Sequence, residues 1–430
     1  MIGYAGLSHL GLVSSVAAAA KGFDVIGYDP DVALVAALDR ADLPVLEPGL
    51  PELCAAAGSR IQFSSDANRL ESCDVIYVAV DVPIDYAGGS DLAPVRALVS
   101  QVLAVAAPRT VVVVLSQVTP GFTRTFVSAA TDRHLHLFYQ VETLVFGRAV
   151  ERAMAPERFI VGCADLAQPL PHSYSALLQT FGCPVLRMRY ESAELCKISI
   201  NMFLVASVST TNMLAELAEA IGADWSEIVP ALRLDRRIGP HAYLTPGLGL
   251  GGGNLRRDLA TVKALASEHG THAALVDVWN ENSRHRLDWP LMMLHRHVLG
   301  RRDAVVAVWG LAYIPGTSST RNSPGLTLIN SLGGCTVRAY DPAVRLNTGA
   351  YERVVQTETA LGACEGADAL AIMTAWSEFD GADIGRIEAV MRGRVIIDPW
   401  NMLRDGEPEA RGFLRVRLGA QPSVNSQPVC

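Results

Sequence analysis

The chain has 430 residues, of which 50% are hydrophobic and 19% are charged. This composition provides enough apolar side chains for sizeable cores and excludes a mostly disordered chain. The net charge of −8 argues against a nucleic-acid-binding protein with a dominant basic surface.

The chain shows no uninterrupted run of 18 apolar residues and no basic segment followed by an apolar core at its N-terminus. We therefore predict no membrane span and no signal peptide, and we expect a cytoplasmic protein. The eight cysteines are scattered without C-x-x-C pairs, which predicts reduced thiols that lie mostly in cores. The histidines show no ligand spacing, so no metal site is predicted.

The first half of the chain alternates strand and helix patterns, as a parallel doubly wound sheet does. A strand at 1–5 precedes a tight turn, and an alanine-rich helix ends at Gly22. The predicted elements that follow the turn are a helix at 12–21 and strands at 23–28, 74–80 and 110–116.

From residue 191 the pattern changes to helices. A stretch at 191–221 has no glycine or proline and predicts a long central helix. Helical patterns at 224–232 and 258–297 follow, the second interrupted at Gly270 and Pro290. Strand and helix patterns then alternate again, with strands predicted at 304–309, 336–340, 369–373 and 394–397.

These patterns predict an α/β protein with two Rossmann-like doubly wound domains joined by a long central helix. The predicted boundaries are 1–190, 191–300 and 301–420, with a frayed tail at 421–430.

The opening turn has the pattern G-x-S-x-x-G, formed by Gly6, Ser8 and Gly11, and Asp29 ends the next predicted strand. In a dinucleotide-binding fold the glycines allow a tight turn and close approach to the pyrophosphate, and the acidic residue binds the ribose hydroxyls. Ser8 replaces the usual middle glycine. Because a carboxylate would repel a 2′-phosphate, Asp29 favours NAD over NADP.

Two further features point to chemistry. Lys197 and Asn201 lie four residues apart on the central helix, so they share a face and can stabilise developing alkoxide charge. The loop at 245–254 carries five glycines. Such a loop brings backbone close to another group, and its N–H groups can bind a diphosphate or a sugar.

In order along the chain, these motifs resemble the UDP-glucose/GDP-mannose 6-dehydrogenase family. The segment from Pro44 to Leu50 is similar to that family's P-I-x-E-P-G-L, the segment from Ala193 to Asn201 to A-E-x-x-K-x-x-x-N, and the glycine loop to P-G-x-G-F-G-G-S-C-F-x-K-D. The remaining matches are Val80–Pro83 (G-T-P), Ser90–Leu92 (A-D-L), Ser116–Gly121 (S-T-V-P-x-G), Asp235–Gly239 (D-x-R-I-G), Gly310–Tyr313 (G-L-A-F), Arg321–Pro324 (R-E-S-P) and Tyr340–Pro342 (Y-D-P).

The resemblance implies an N-terminal NAD domain, a central helical dimerisation domain, and a C-terminal nucleotide-sugar domain that binds a UDP- or GDP-linked sugar. It implies a homodimer in which Arg237 reaches the partner's substrate. The implied cofactor contacts are Gly6, Ser8, Gly11, Asp29, Pro83, Ser116, Gln117 and Arg321. The implied substrate contacts are Arg237, Tyr243, Leu244, Gly251 and Phe146. The implied catalytic residues are Lys197, Asn201, Glu142, Asp258 and Asn254, with Asp258 behind the lysine.

Several positions depart from the family pattern. The family traps an aldehyde on its loop cysteine and oxidises a primary C6 alcohol twice, whereas this chain has Asn254 there, and a carboxamide is not a nucleophile. The first catalytic glutamate is kept as Glu142, but the second is Phe146. The other changed positions are Gln117, Gln140, Val141, Arg257, Ile314, Ser318, Ser319 and Trp400.

The lost residues serve the second oxidation, and those kept can serve one hydride transfer. The sequence therefore predicts an NAD-dependent nucleotide-sugar dehydrogenase that stops after one two-electron step at C6, giving a ketone or an aldehyde. A ketone fits best, on a higher-carbon sugar such as those of bacterial antibiotic and other natural-product pathways. The alternatives are an epimerase that returns the hydride, a non-catalytic sugar-nucleotide-binding homologue, and a four-electron enzyme that forms a uronic acid.

Overall fold

The computed structural model describes residues 1–83, 89–300, 303–347, 349, 352–403 and 407–422. Most of the predicted C-terminal tail therefore lies outside the described residues. The chain divides into two compact units, Met1–Ile200 and Asn201–Cys430.

The first unit is built on a twisted sheet whose inner strands are buried along their whole length. The four valines of Val111–Val114 and all of Ile2–Ala5 and Val75–Val78 are buried, as expected for strands covered on both faces. The described strands are β1 (Ile2–Ala5), β2 (Val25–Tyr28), β3 (Ile61–Ser64), β4 (Val75–Val78), β5 (Val111–Val114), β6 (His136–Gln140), β7 (Phe159–Cys163) and β8 (Val185–Arg189).

These eight strands have the order β3-β2-β1-β4-β5-β6-β7-β8. Their pairs are parallel except β6 with β7, which run antiparallel. The chain leaves β1 toward one side and returns at β4 on the other, so the carboxyl ends of β1 and β4 form the switch point at which such sheets bind ligands.

Helices and short 3₁₀ segments connect these strands. The α-helices are α1 (His9–Ala20), α2 (Val32–Asp39), α3 (Leu50–Ala57), α4 (Ala93–Val105), α5 (Val127–Asp132), α6 (Ala149–Met154) and α7 (His172–Gln179). The 3₁₀ segments are Gly58–Arg60, Ala67–Ser72 and Thr123–Phe126.

A helix of 32 residues, α8 (Tyr190–Ile221), runs from the first unit into the second. Its first two turns pack in the core of the first unit, because Tyr190 and Ala193 are buried against β6 and β7 residues. The helices that follow are α9 (Trp225–Leu234), α10 (Asn254–Glu268) and α11 (Ala274–His297).

One sequence expectation is wrong here. Pro290 does not interrupt α11, which continues to His297. A proline inside a helix costs a hydrogen bond and strains the preceding turn. The buried neighbours Trp289, Met293 and Leu294 pack in a core of the second unit and hold the helix together across that position.

The second unit ends in a second parallel sheet with the order β11-β10-β9-β12-β13-β14. Its described strands are β9 (Val305–Trp309), β10 (Thr336–Tyr340), β11 (Val354–Gln356), β12 (Ala369–Ile372), β13 (Val395–Ile397) and β14 (Leu414–Val416). Its described helices are α12 (Pro324–Ser331), α13 (Ala360–Cys364), α14 (Ile384–Val390) and α15 (Glu407–Ala410), with a 3₁₀ turn at Ser377–Phe379. The predicted fold class, two doubly wound sheets and a long helix between them, is confirmed.

Candidate active site

The predicted dinucleotide turn joins β1 to α1 at the switch point. Gly6 has a φ of +92°, and a Cβ there would lie 2.9 Å from that of Val80. A Cβ on Gly11 would overlap the Gly6 carbonyl oxygen. Both positions therefore require glycine, and the turn brings backbone N–H groups to the start of a 12-residue helix. That geometry favours an anionic ligand.

Ser8 does not act as a capping side chain for α1. Its hydroxyl instead accepts the N–H of Asp81 at 2.8 Å, which fastens the turn to the loop after β4. The substitution of the middle glycine by serine therefore has a structural use here.

Asp29 follows β2 and lies against the turn. Its Oδ2 accepts the N–H of Leu7 at 2.8 Å, and its Oδ1 accepts the N–H of Asp31 at 3.0 Å. A carboxylate has about four acceptor sites, so both oxygens can also accept ribose hydroxyls. The turn and Asp29 together fit a dinucleotide without a 2′-phosphate.

The other predicted cofactor contacts of the first unit lie after β4 and β5. The buried Ser116 donates its hydroxyl to the Val80 carbonyl at 2.7 Å and accepts the Val80 N–H at 3.0 Å. Its side chain therefore fixes the end of β4. Gln117 is buried beside it, and the Pro83 carbonyl accepts the N–H of Asp91 at 2.9 Å.

The structure brings two of the predicted catalytic residues together. The Lys197 Nζ lies 2.9 Å from the Glu142 Oε2, and the two side chains are only 12% and 15% exposed. Glu142 follows β6, and Lys197 lies two turns into α8. A charged pair with so little water around it is strong, and each partner compensates a charge that is costly to bury alone.

The start of α8 is held to the first sheet by residues that the sequence analysis did not single out. The fully buried Glu194 accepts the N–H groups of Gly121 at 2.5 Å and of Thr123 at 2.9 Å. Burial raises the pKa of Glu194, and those two hydrogen bonds oppose the rise. The Tyr190 hydroxyl donates to the Leu137 carbonyl at 2.6 Å. The sequence signal that could have identified Glu194 is the glutamate of the A-E-x-x-K pattern.

Asn201 and Asp258 form a second buried pair, in the second unit. The Asn201 Nδ2 donates to the Asp258 Oδ2 at 2.5 Å, and both residues are buried. The Arg257 Nε lies 3.6 Å from the other oxygen of Asp258. This arrangement fixes the orientation of the Asn201 carboxamide.

The glycine loop owes part of its composition to its protein neighbours. A Cβ on Gly249 would collide with the Ser283 carbonyl, and one on Gly252 would lie 2.8 Å from the Tyr313 ring. The Asn322 side chain also donates to the Gly252 carbonyl. Close approach is thus observed as expected, against Tyr313 and Ser283. The anion-binding role of the loop stays a prediction.

Asn254 lies at the end of this loop and is the exposed first residue of α10. Its backbone N–H belongs to the first turn of the helix, where a negative charge or a thiolate is stabilised by the helix dipole.

The predicted substrate contacts lie in several places. Arg237 is exposed and forms a bidentate pair with Asp235 at 2.6 and 3.0 Å. The ring of Phe146 stacks on His9, with centroids 4.2 Å apart. The remaining positions are the exposed Tyr243, the buried Leu244, which lines a cavity of about 300 Å³ together with Trp400, and Gly251, where a Cβ would lie 3.4 Å from the Tyr313 ring. Arg321, a predicted cofactor contact, is also exposed.

Models of three successive domains match this chain. They are the NAD binding domain of the UDP-glucose/GDP-mannose dehydrogenase family at residues 1–180, its central domain at 191–284, and its UDP binding domain at 307–405. The chain belongs to the UDP-glucose/GDP-mannose dehydrogenase family. The family predicted from the sequence is confirmed. The predicted NAD cofactor and the predicted class of enzyme, an NAD-dependent nucleotide-sugar dehydrogenase acting on a CH–OH group, are confirmed with it.

Relatives in this dehydrogenase family match over nearly the whole chain. The UDP-glucose 6-dehydrogenase TuaD of Bacillus subtilis is 30% identical over 438 residues, covering 97% of this chain and 93% of that protein. A UDP-glucose dehydrogenase from Pyrobaculum islandicum has a TM-score of 0.82 at 28% identity, covering 92% and 93% of the two chains. A UDP-D-ManNAc dehydrogenase from Pyrococcus horikoshii has a TM-score of 0.83 at 23% identity, covering 97% and 99%, and shows the shared fold.

Membership of the dehydrogenase family also explains α8. By length and composition alone this helix is apolar enough to cross a membrane. Its first half carries the Lys197 and Asn201 motif, and it begins the family's central domain at 191–284. It is therefore interpreted as the core helix between domains.

The thiols described in this dehydrogenase lie in apolar surroundings. Burial raises the pKa of Cys73 to about 11 and that of Cys364 to about 12. Burial also raises the thiol pKa at Cys54, Cys163, Cys183 and Cys335. A raised pKa leaves little thiolate at neutral pH, which is the opposite of what a nucleophilic cysteine needs.

Proposed function

We propose that this dehydrogenase oxidises its nucleotide-linked sugar once and releases a ketone or an aldehyde. The observation that carries this proposal is Asn254, which stands at the loop position where the family pattern has its nucleophilic cysteine. A carboxamide cannot form the thiohemiacetal that a second oxidation requires. The raised pKa values of six of the described thiols support the same interpretation, because none of those six is an activated substitute.

Lys197 and Glu142 are the groups we assign to the reacting hydroxyl. When bound, NAD supplies the hydride acceptor. The carbinol loses a hydride and its hydroxyl loses a proton, which leaves a carbonyl. Lys197 donates a hydrogen bond to the oxygen as negative charge develops, and Glu142, 2.9 Å from the ammonium, holds the pair in place and accepts the proton.

Asn201 is assigned to orient the sugar. An amide nitrogen carries two hydrogens, and the hydrogen bond to Asp258 uses one of them. The second can be donated to the sugar. Because Asp258 is almost completely buried, the carboxamide is held in one orientation, and this fixed donor costs little reorganisation.

Phe146 supports a secondary alcohol as the reacting group. It stands where the family pattern has a second glutamate, and its ring remains 37% exposed while stacked on His9. An exposed aromatic face suits an apolar substituent on C6. A ketone formed from such a secondary alcohol cannot be oxidised again, so no covalent trap is needed. Amination of such a ketone in a natural-product pathway would follow from its chemistry.

We further propose a UDP-linked substrate, a homodimer and a three-domain division. The matched UDP binding domain and the names of the relatives support the nucleotide. The three matched ranges support boundaries near residues 190 and 300, within the two compact units. Arg237 and Arg321 keep their proposed roles toward the partner's substrate and the cofactor.

The deciding experiment measures the NADH formed per sugar consumed in a single turnover. Wild type, Asn254→Cys and the matched control Asn254→Ala are given UDP- and GDP-hexoses and sugars with a carbon substituent on C6. We expect one NADH per sugar with a carbonyl product and no acid for wild type and Asn254→Ala. Two NADH and a carboxylate from the wild type would contradict the proposal and establish the four-electron reaction.

A further inference from the structure

Glu47 is a buried carboxylate that no step above uses. It lies in the segment between α2 and α3, and its side chain has no exposed surface. A carboxylate in such a position must be compensated by hydrogen bonds or opposite charge. Its partners therefore show what the chain gains from keeping it there.

Those partners come from two different parts of the first unit. The Glu47 Oε1 lies 2.8 Å from the His9 Nε2, and His9 is the first residue of α1. The same oxygen accepts the N–H of Gly147 at 2.8 Å, and Oε2 accepts the N–H of Ala149 at 3.2 Å. One carboxylate thus joins the dinucleotide turn to the loop that follows β6.

The hydrogen bonds of Glu47 also bring the rings of Phe146 and His9 into contact. Phe146 immediately precedes Gly147, so the carboxylate holds the imidazole by its Nε2 and the loop by its backbone. The two rings then stack at 4.2 Å with an angle of 29° between their planes. Gly147 has a φ of +79°, which lets the loop turn back onto α1.

The loop that Glu47 holds also carries Glu142. Its beginning is fixed by the ion pair between Glu142 and Lys197, and its end by the hydrogen bonds to Glu47. The turn that Glu47 holds is the proposed seat of the cofactor pyrophosphate. The distance between these two parts is what a hydride transfer depends on, since small misplacements of reacting groups are costly.

We propose that Glu47 is a positioning residue of the dehydrogenase reaction, which acts by holding the loop of Glu142 and Phe146 against the dinucleotide turn through His9. This inference rests on the proposed role of Glu142. It predicts that loss of the carboxylate slows turnover while the cofactor still binds, because Asp29 and the glycines continue to shape the turn.

The test compares Glu47→Gln with Glu52→Gln, an exposed glutamate on the adjacent α3. A glutamine keeps one acceptor oxygen and its nitrogen would face an N–H donor, so we expect faster hydrogen exchange at one or both of the Gly147 and Ala149 amides. We expect kcat to fall about 10- to 100-fold with whichever sugar nucleotide the wild type oxidises. The dissociation constant for NADH, followed by its fluorescence in the absence of sugar, should change less than about threefold. Glu52→Gln should match the wild type in all three measurements.

If Glu47→Gln does not fold, His9→Leu removes one contact and the ring stack but leaves both amide hydrogen bonds. A smaller fall in kcat is then expected, with exchange at Gly147 little changed. Unchanged exchange in Glu47→Gln would overturn the proposal, as would faster exchange with kcat within threefold of wild type. The exchange and NADH measurements need no sugar, and kcat is measured with whichever sugar nucleotide the wild type oxidises, so the test remains decisive even if the product proves to be a uronic acid.

Discussion

At the residue scale, the proposed catalytic residues form two polar pairs that are almost completely shielded from water. Lys197 with Glu142 and Asn201 with Asp258 are each almost buried, and each member satisfies the other. Such pairs are costly to form and more costly to break, because removal of one member leaves the other desolvated without its partner. This is the reason to expect single substitutions here to affect chemistry far more than surface substitutions do.

Lys197→Met tests this reasoning. It removes the donor to the developing alkoxide and leaves Glu142 buried without its ammonium, so kcat should fall about 10²- to 10⁴-fold. The matched control is Lys263→Met, because Lys263 also pairs with a carboxylate, that of Asp277, but is half exposed. Surface pairs contribute about 0–1 kcal/mol, so the control should stay within about twofold of the wild type. Steady-state NADH formation measures both, and equal losses would refute the assignment.

The reactivity of an introduced thiol tests the environment of residue 254. A cysteine placed by Asn254→Cys lies at the start of α10, where the helix dipole lowers a thiol pKa. The control Glu268→Cys places an exposed thiol at the other end of the same helix. At pH 7.5, iodoacetamide should label residue 254 roughly tenfold faster. Its labelling rate should also rise with pH at a lower midpoint, because the thiolate reacts. Equal midpoints would contradict the proposed environment.

At the element scale, glycines decide which elements can meet. The turn between β1 and α1 closes because Gly6 and Gly11 lack a Cβ, and the loop before α10 closes on Tyr313 for the same reason at Gly252. In both cases the neighbouring atoms are backbone, Cβ or ring atoms that cannot move aside cheaply. Packing thus explains these glycines before any ligand is considered.

Gly11→Ala is the corresponding prediction. The new methyl group would overlap the Gly6 carbonyl oxygen, so the turn must open. We expect a loss of roughly 1–3 kcal/mol in stability and weaker NADH binding. The control Gly334→Ala adds a methyl group where nothing lies within 4 Å. Thermal unfolding and NADH fluorescence check both variants, and a Gly11→Ala protein with wild-type behaviour in both would show that the turn tolerates a side chain.

At the scale of the whole molecule, the exposed apolar surface of α8 predicts an interaction with another protein chain. Phe203, Leu217 and Ile221 are 79%, 52% and 69% exposed. Leu217 lies about four helical turns after Phe203 and Ile221 about five, so the three side chains share one face. Exposed apolar faces of this kind mark interaction sites. A second copy of this chain is the occupant that the resemblance implies.

Phe203→Glu should therefore convert a dimer to a monomer, as measured by light scattering after size-exclusion chromatography. Glu227→Gln, on the exposed surface of α9, serves as the control and should leave the mass unchanged. A wild-type protein that is monomeric at micromolar concentration would contradict the proposed homodimer.

Much of the fold was predictable because its signals are local. The buried valine strands, the turn of Gly6 and Gly11 with Asp29 after it, and the uninterrupted pattern of α8 each depend on residues close in the chain. Helix boundaries could not be predicted from the residue pattern alone. Pro290 was expected to interrupt α11, and only the packing of its buried neighbours shows why it does not.

The sequence by itself determined the fold class, the NAD cofactor, the class of dehydrogenase, and the identity of the side chains available for chemistry. The tertiary structure decided which of them meet: Glu142 with Lys197, Asn201 with Asp258, and Glu47 with His9 and Gly147. The members of each pair or cluster are separated by dozens of residues, so no local pattern encodes their contact. Their hydrogen bonds form only when the packing of the strands and helices brings them together and removes the water between them.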